Sequence, residues 1–297
     1  MFNKILIIGC GLIGSSIVRA VLDKRLSNKI YIFEKSKKYI STIKKINKKL
    51  IIIKKLNKNI NDMDLVILST PMSSYDKIIP YLNKFLSTNS IITDIGSTRE
   101  NVLNLKKKKL KKSLTWILSH PISGSEVSGP IHGKKNLFRN KWCIVVSDKN
   151  KVKLRKVIGF WKKMGSNIKL MNPREHDKIF AITSHLPHLI AYNLIKTAQD
   201  FQKKDKKNLI QFSAGGLRDF SRTAASNEIM WRDIFFNNKK NIIQAINLFS
   251  KNLNAFKKNI QNLDDKKLRK KLINSKKVRR QIVNLKHDID KPDFGRD

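Results

Sequence analysis

The chain has 297 residues, 40% of them hydrophobic, enough for two domains with sizeable cores. Its uncharged apolar stretches fall far short of the ~18 residues a membrane span requires, and no signal-peptide apolar region opens it. Lys plus Arg number 63 against 22 Asp plus Glu, a formal net charge of +41 that would attract anions. The lysines are spread through every segment among Asn and Ile, as in Lys44-Lys45-Ile46-Asn47-Lys48-Lys49, which is the signature of A/T-rich coding rather than of a binding patch. No basic platform with interleaved aromatics is present, so specific nucleic-acid binding is not expected, whereas a small anionic substrate is. Two cysteines, Cys10 and Cys143, give neither a disulfide framework nor metal-ligand spacing, and a soluble cytoplasmic protein without a metal is expected.

In chain order, Lys4 to Ile8 reads as a strand running into Gly9-Cys10-Gly11-Leu12-Ile13-Gly14 and then a helix over 12–24. Gly9 allows the turn, Gly11 lets the backbone approach a pyrophosphate, and Gly14 lets helix and strand pack closely. The helix N-terminus, with Leu12 and Ile13 in its first turn, offers free N–H groups to phosphates. A second strand over 29–33 ends at Glu34, 20 residues beyond Gly14, where a carboxylate accepts from the ribose hydroxyls of NAD. Lys35 follows it, so the 2′-phosphate of NADP is also admissible.

Further strands are expected at 50–53, 64–69, 90–94, 115–119 and 142–146. The helices between them fall at 36–48, 73–86, 99–111 and 151–164. This alternation argues a doubly wound, mostly parallel sheet, with ligands at the carboxyl ends of its strands. Thr70-Pro71, Asp94 to Ser97, and His120-Pro121 lie at such ends. After Pro173 the pattern turns helical: 174–203, 207–213, 228–236 and 239–262. The division expected is 1–171 for the dinucleotide-binding domain, 172–275 for a helical domain, and 276–297 for a charged tail, frayed or disordered.

Three polar clusters carry candidate chemistry. Asp94-Ile95-Gly96-Ser97-Thr98-Arg99 places Ser97 and Arg99 in the cofactor crevice, although Ser97 suits a helix N-cap equally well. His120 lies at a strand end before a polar loop and suits proton removal near neutral pH, with a hydroxyl such as Ser97 to orient its ring. Thr183-Ser184-His185-Leu186-Pro187-His188 sits inside a long helix that Pro187 should kink. His185 and His188 share a face there, without a third metal ligand. Arg222, in Gly215-Gly216-Leu217-Arg218-Asp219-Phe220-Ser221-Arg222, suits a bidentate grip on a carboxylate, and solvation at the surface is its alternative use.

The stretches GCGLIGSS, DIGSTRE, SHPISGSEVSGP, TSHLPH, GGLRDFSRTA and MWRDI, in this order over residues 9–234, resemble the prephenate dehydrogenase family. That family includes arogenate and cyclohexadienyl dehydrogenases. The resemblance implies an N-terminal Rossmann domain and an all-helical domain that forms a homodimer. It also implies NAD-dependent oxidative decarboxylation of prephenate or arogenate in tyrosine synthesis. By the same resemblance His120 matches the catalytic base and Ser97 its hydrogen-bond partner. Glu126 matches an acidic group gating the pocket, His188 a substrate-side histidine, and Arg222 the carboxylate clamp. Asp219 matches an organiser near that clamp, Gly215 a point of entry, and Trp231 a residue completing the pocket from the neighbouring subunit. Arg99 stands where lysine is common, and Glu34 where aspartate is commoner. Other readings are a β-hydroxyacid or imine-type dehydrogenase and a non-catalytic dinucleotide-binding protein. The β-hydroxyacid enzymes place a catalytic lysine on the helix that here carries Ser184, His185 and His188 instead.

Overall fold

Residues Ile5 to Ile8 are fully buried, as expected of a strand covered on both faces. The computed structural model describes residues 2–205 and 208–285. In it β1 (Phe2–Ile8), β2 (Ser27–Phe33), β3 (Ile51–Ile53), β4 (Leu65–Leu68), β5 (Ile91–Asp94) and β6 (Thr115–Ile117) form one parallel sheet of order β3-β2-β1-β4-β5-β6. The order reverses between β1 and β4, which opens the crevice where doubly wound sheets bind ligands. Alternate side chains feed two cores: Ile5, Ile7, Leu65 and Ile67 on one face, Leu6, Ile8, Val66 and Leu68 on the other. The covering helices are α1 (Leu12–Asp23), α2 (Lys37–Ile46), α3 (Tyr75–Phe85), α4 (Glu100–Lys109) and α5 (Lys151–Lys163).

The strand expected over 115–119 divides. After β6 the chain leaves the parallel sheet and Ser119–Pro121 becomes β7, antiparallel to β8 (Trp142–Val145), which pairs in parallel with β9 (Asn167–Leu170). Asp94 causes the step: its backbone carbonyl accepts the Ser119 hydroxyl at 2.6 Å, while the Arg99 guanidinium takes the Ser119 carbonyl at 2.9 Å. His120 therefore sits in mid-strand opposite Ile144, not at a strand end.

The helical part begins at Asn172, whose side chain caps α6 (Pro173–Phe180), with Pro173 in the first turn. A π-helical turn over Ala181–His185 follows and leads into α7 (Leu186–Asp205), so the irregularity expected at Pro187 is taken up just before it. Then come α8 (Gly215–Ala224), α9 (Glu228–Asn237), α10 (Lys239–Gln261) and α11 (Asp265–Asn284). The helix expected at 207–213 is a short 3₁₀ turn over Leu209–Phe212, and residues 206 and 207 lie outside the described residues. The charged stretch expected to be frayed is helical to Asn284. Asp264 caps it, Asp265 lies in its first turn, and lysine is a good helix former. The remainder of the expected tail, 286–297, lies outside the described residues. The chain divides into two compact units, one running to Ile242 and the other starting at Ile243. Among the described residues no helix is long and apolar enough to cross a membrane.

Candidate active site

At the first βα turn, Gly9 has φ +86°, and a Cβ there would lie 2.6 Å from Thr70 Cγ2 and 2.8 Å from the Ser69 carbonyl. A Cβ on Gly14 would come within 2.4 Å of the Gly9 carbonyl oxygen. Gly11 differs: a Cβ there meets nothing within 4 Å, so the missing side chain leaves open space above the N-terminus of α1. Leu12 and Ile13 are half-buried in that first turn. Glu34 accepts the Cys10 N–H at 2.8 Å and the Ser36 N–H at 2.9 Å, which fixes its carboxylate beside the glycine turn with acceptor capacity left over. The hydroxyls of Ser69 and Thr70 are buried without a hydrogen-bond partner, and Pro71 beside them is exposed. An open approach to helix N–H groups, an anchored carboxylate and orphaned hydroxyls suit a dinucleotide. Asp233, buried on α9, accepts the Ser73 N–H at 2.9 Å and so ties the helical part to this loop.

Beneath His120 lies a fully buried ion pair. Arg99 Nη2 and Nη1 donate to Asp94 Oδ2 and Oδ1 at 2.6 and 3.1 Å, Nε donates to the Thr98 carbonyl at 2.8 Å, and Nη1 also reaches Ser119 O. Trp116 Nε1 and Gly96 N donate to the same carboxylate at 3.1 and 3.0 Å. Burial opposes the charge on Arg99, but Asp94 outweighs it and keeps the guanidinium protonated. Arg99 is therefore structural and does not line the crevice as expected: its side chain is fully buried, and Nε, Nη1 and Nη2 all donate to Thr98, Asp94 and Ser119.

His120 Nδ1 lies 2.8 Å from His176 Nε2, and His176 Nδ1 lies 2.8 Å from Asp177 Oδ1. Asp177 also accepts the backbone N–H of Arg99 at 2.7 Å and of Glu100 at 2.9 Å, so it caps α4 from α6. Ser97, the expected partner, does not make this contact: the ring nitrogen is engaged by His176, which α6 brings in from 56 residues away. Ser97 does not cap α4 either, since Asp177 does. Phe180 packs on both rings, 5.2 Å from His120 and 4.4 Å from His176. Burial pushes His120 well below the ordinary histidine range, and His176, Arg99 and His185 push it further. Burial likewise brings His176 down to about 2, so both rings are neutral at neutral pH.

Elsewhere the structure joins Glu126 to Arg222, with Oε1 3.3 Å from Nη1. Both are solvent-accessible, at 29% and 57% exposure. The Glu126 carboxyl is held below its usual range by its own backbone N–H foremost, and by Arg222, against desolvation. Gly215, Asp219 and Arg222 are spaced along α8 so that they share one face. His188 Nδ1 donates to the Ser184 carbonyl (2.9 Å), and its ring stacks on Trp231 with ring centroids 3.8 Å apart. Trp231 is buried in its own chain, so within one subunit it supports His188 rather than standing out toward a neighbour. His185 is instead buried against Asn238, Nδ1 to Nδ2 3.1 Å. Among the described residues no cluster of three His, Cys, Asp or Glu side chains could hold a metal.

Two family models match the chain: "Prephenate dehydrogenase, nucleotide-binding domain" over residues 18–170 and "Prephenate dehydrogenase, dimerization domain" over 172–274. Cyclohexadienyl dehydrogenase of Zymomonas mobilis is 30% identical over 266 residues, 89% of this chain and 90% of that protein. Prephenate dehydrogenase of Bacillus subtilis is 27% identical over 274 residues, 90% of this chain and 73% of its own length. The crystal structure of prephenate dehydrogenase from A. aeolicus in complex with hydroxyphenyl propionate and NAD+ is 31% identical. It superposes with a TM-score of 0.87 and covers 95% of this chain and 99% of its own.

Proposed function

Because this chain belongs to the prephenate dehydrogenase family, we propose that it oxidatively decarboxylates prephenate, arogenate or both, with NAD, in tyrosine synthesis. The glycine turn, Glu34, Thr70 and Pro71 would hold the dinucleotide. Bound there, NAD supplies the hydride acceptor for C4 of the cyclohexadiene. His120 takes the proton of the C4 hydroxyl, which leaves a carbonyl. The ring carboxylate then departs as carbon dioxide, and aromatisation drives that loss. Arg222 grips a substrate carboxylate, with Asp219 and Gly215 on the same helix face, and His188 holds the far end of the anion. Glu126 occupies Arg222 until substrate displaces it. Ser97, half-buried in the loop after β5, would act with His120 through the C4 hydroxyl, donating to that oxygen, because His176 already engages Nδ1 and Nε2 must stay open to the hydroxyl proton.

The observation that carries this reading is the neutral, buried imidazole of His120 above the Asp94–Arg99 pair. The test is purified protein with each substrate against NAD and NADP, following the absorbance of reduced nicotinamide. Turnover with NAD is expected. His120→Asn should lower kcat by about 10²–10⁴-fold while NAD still quenches tryptophan fluorescence. Comparable turnover in the variant would refute the assignment of the base.

We also propose the division at 171/172, supported by the two family models meeting there, and a homodimer through the helical part. Exposed Leu248, Leu253, Ile260 and Leu272 support that association, and light scattering on the purified chain tests it. The two cysteines are free thiols in the core, which suits the reducing cytoplasm.

A further inference from the structure

A neutral imidazole carries its proton on either nitrogen, and only the bare nitrogen can act as a base. The hydrogen bonds behind His120 remove this ambiguity. Asp177 receives amide N–H groups at both oxygens, from Arg99 at Oδ1 and from Glu100 at Oδ2. Burial raises its pKa, with those two amides and the Arg99 charge acting against the rise, and it is the amide N–H on each oxygen that sets the carboxyl group as an acceptor toward its neighbours. His176 Nδ1, 2.8 Å from Oδ1, must then be the N–H donor. With its pKa near 2 the ring holds one proton, so His176 Nε2 presents a lone pair. That lone pair faces His120 Nδ1 at 2.8 Å, which places the His120 proton on Nδ1. Nε2 of His120 is left bare.

We propose that His176 and Asp177 are positioning residues that lock His120 in the Nδ1–H tautomer, so that the hydroxyl proton is taken by Nε2. The chain of contacts runs Asp177 to His176 to His120, and Phe180 packs against both rings at a tilt. When Nε2 accepts a proton, His120 becomes an imidazolium that still donates through Nδ1 to His176. Neither His176 nor Asp177 has to move a proton.

The inference rests on His120 being the base, and its test separates the two. In full-length, ¹⁵N-histidine-labelled protein without substrate, His120 should show a protonated Nδ1 and a bare Nε2. His176→Gln should keep that pattern, because the amide oxygen accepts from Nδ1–H while the amide nitrogen donates to Asp177. His176→Leu should lose it. With prephenate and NAD, His176→Leu should lower kcat about 10²-fold with KM changed less than about threefold, and His176→Gln should recover most of that loss. A protonated Nε2 on His120 in the wild-type chain would overturn the proposal. So would unchanged kcat in His176→Leu, or a glutamine variant as impaired as the leucine one. If the leucine variant fails to fold, the wild-type spectrum and the glutamine variant decide the matter. A wild-type chain inactive on every substrate would sink the proposed reaction and leave the spectroscopic test of the tautomer standing.

Discussion

Asp94–Arg99 and Glu126–Arg222 are both carboxylate–guanidinium pairs, and solvent assigns them opposite roles. The first is fully buried and bidentate, and its carboxylate also serves Trp116 and Gly96. Its members cannot exchange partners without leaving a charge stranded in the core. The second is open to water with a single contact at 3.3 Å, so another carboxylate can replace Glu126 at little cost. The same chemistry thus makes a rigid floor in one place and a replaceable ligand in the other.

Breaking the floor should have the largest effect. Arg99→Leu leaves Asp94 buried and uncompensated and should lower the unfolding free energy by about 3–5 kcal/mol, read by urea denaturation. A loss below about 1 kcal/mol would show that the pair does not hold the floor rigid. Acid should act next, on the same buried region. His120, His176 and His185 all have folded-state pKa values below the ordinary 6.5, with His176 near 2 and His185 near 4, burial being the leading cause in each. The unfolded chain therefore binds more protons in that window. Stability is complete above about pH 6.5 and declines as pH falls, by about 1.4 kcal/mol per pH unit for each imidazole. A denaturation midpoint that is flat from pH 7 to 5 would contradict this.

At the open pair the effects move from folding to binding. Arg222→Ala should raise KM about tenfold while the unfolding free energy changes by less than about 1 kcal/mol. An unchanged KM would count against a clamp. Glu126→Gln should be the mildest, with stability within about 0.5 kcal/mol of the parent and KM equal or a few-fold lower, because a competitor for Arg222 is gone. A KM raised tenfold would give Glu126 a direct role in holding substrate.

What could be seen in the sequence followed how local each feature is. The glycine turn and the strands of the parallel sheet depend on neighbours within a few residues, and they stand where periodicity and spacing placed them. Asp94 and Arg99 were visible as a motif but not as a pair, because nothing local says that Trp116 and Ser119 enclose them. The step from β6 to β7 was hidden for the same reason. Helix α8 opens on two glycines, each costing about 1 kcal/mol in a helix, so its pattern reads as a loop until α7 packs on it. The His176–Asp177 dipeptide matches no spacing rule. Its one legible signal was position, in the second turn of a helix opened by Asn172-Pro173, and its partner lies 56 residues back in the chain.

The π turn at Ala181–His185 makes segment length more important than segment composition. It holds one residue more than an α-helical turn would, so a residue removed there lets the turn close into regular α-helix, whereas a residue removed from α6 would rotate everything beyond it by about 100°. In the second case His188 would swing off the Trp231 face, although no side chain at either position had been altered. Single-codon deletions within Ala181–His185 should therefore be tolerated better than deletions within α6, and a deletion scan from Pro173 to Leu186 would map that difference directly.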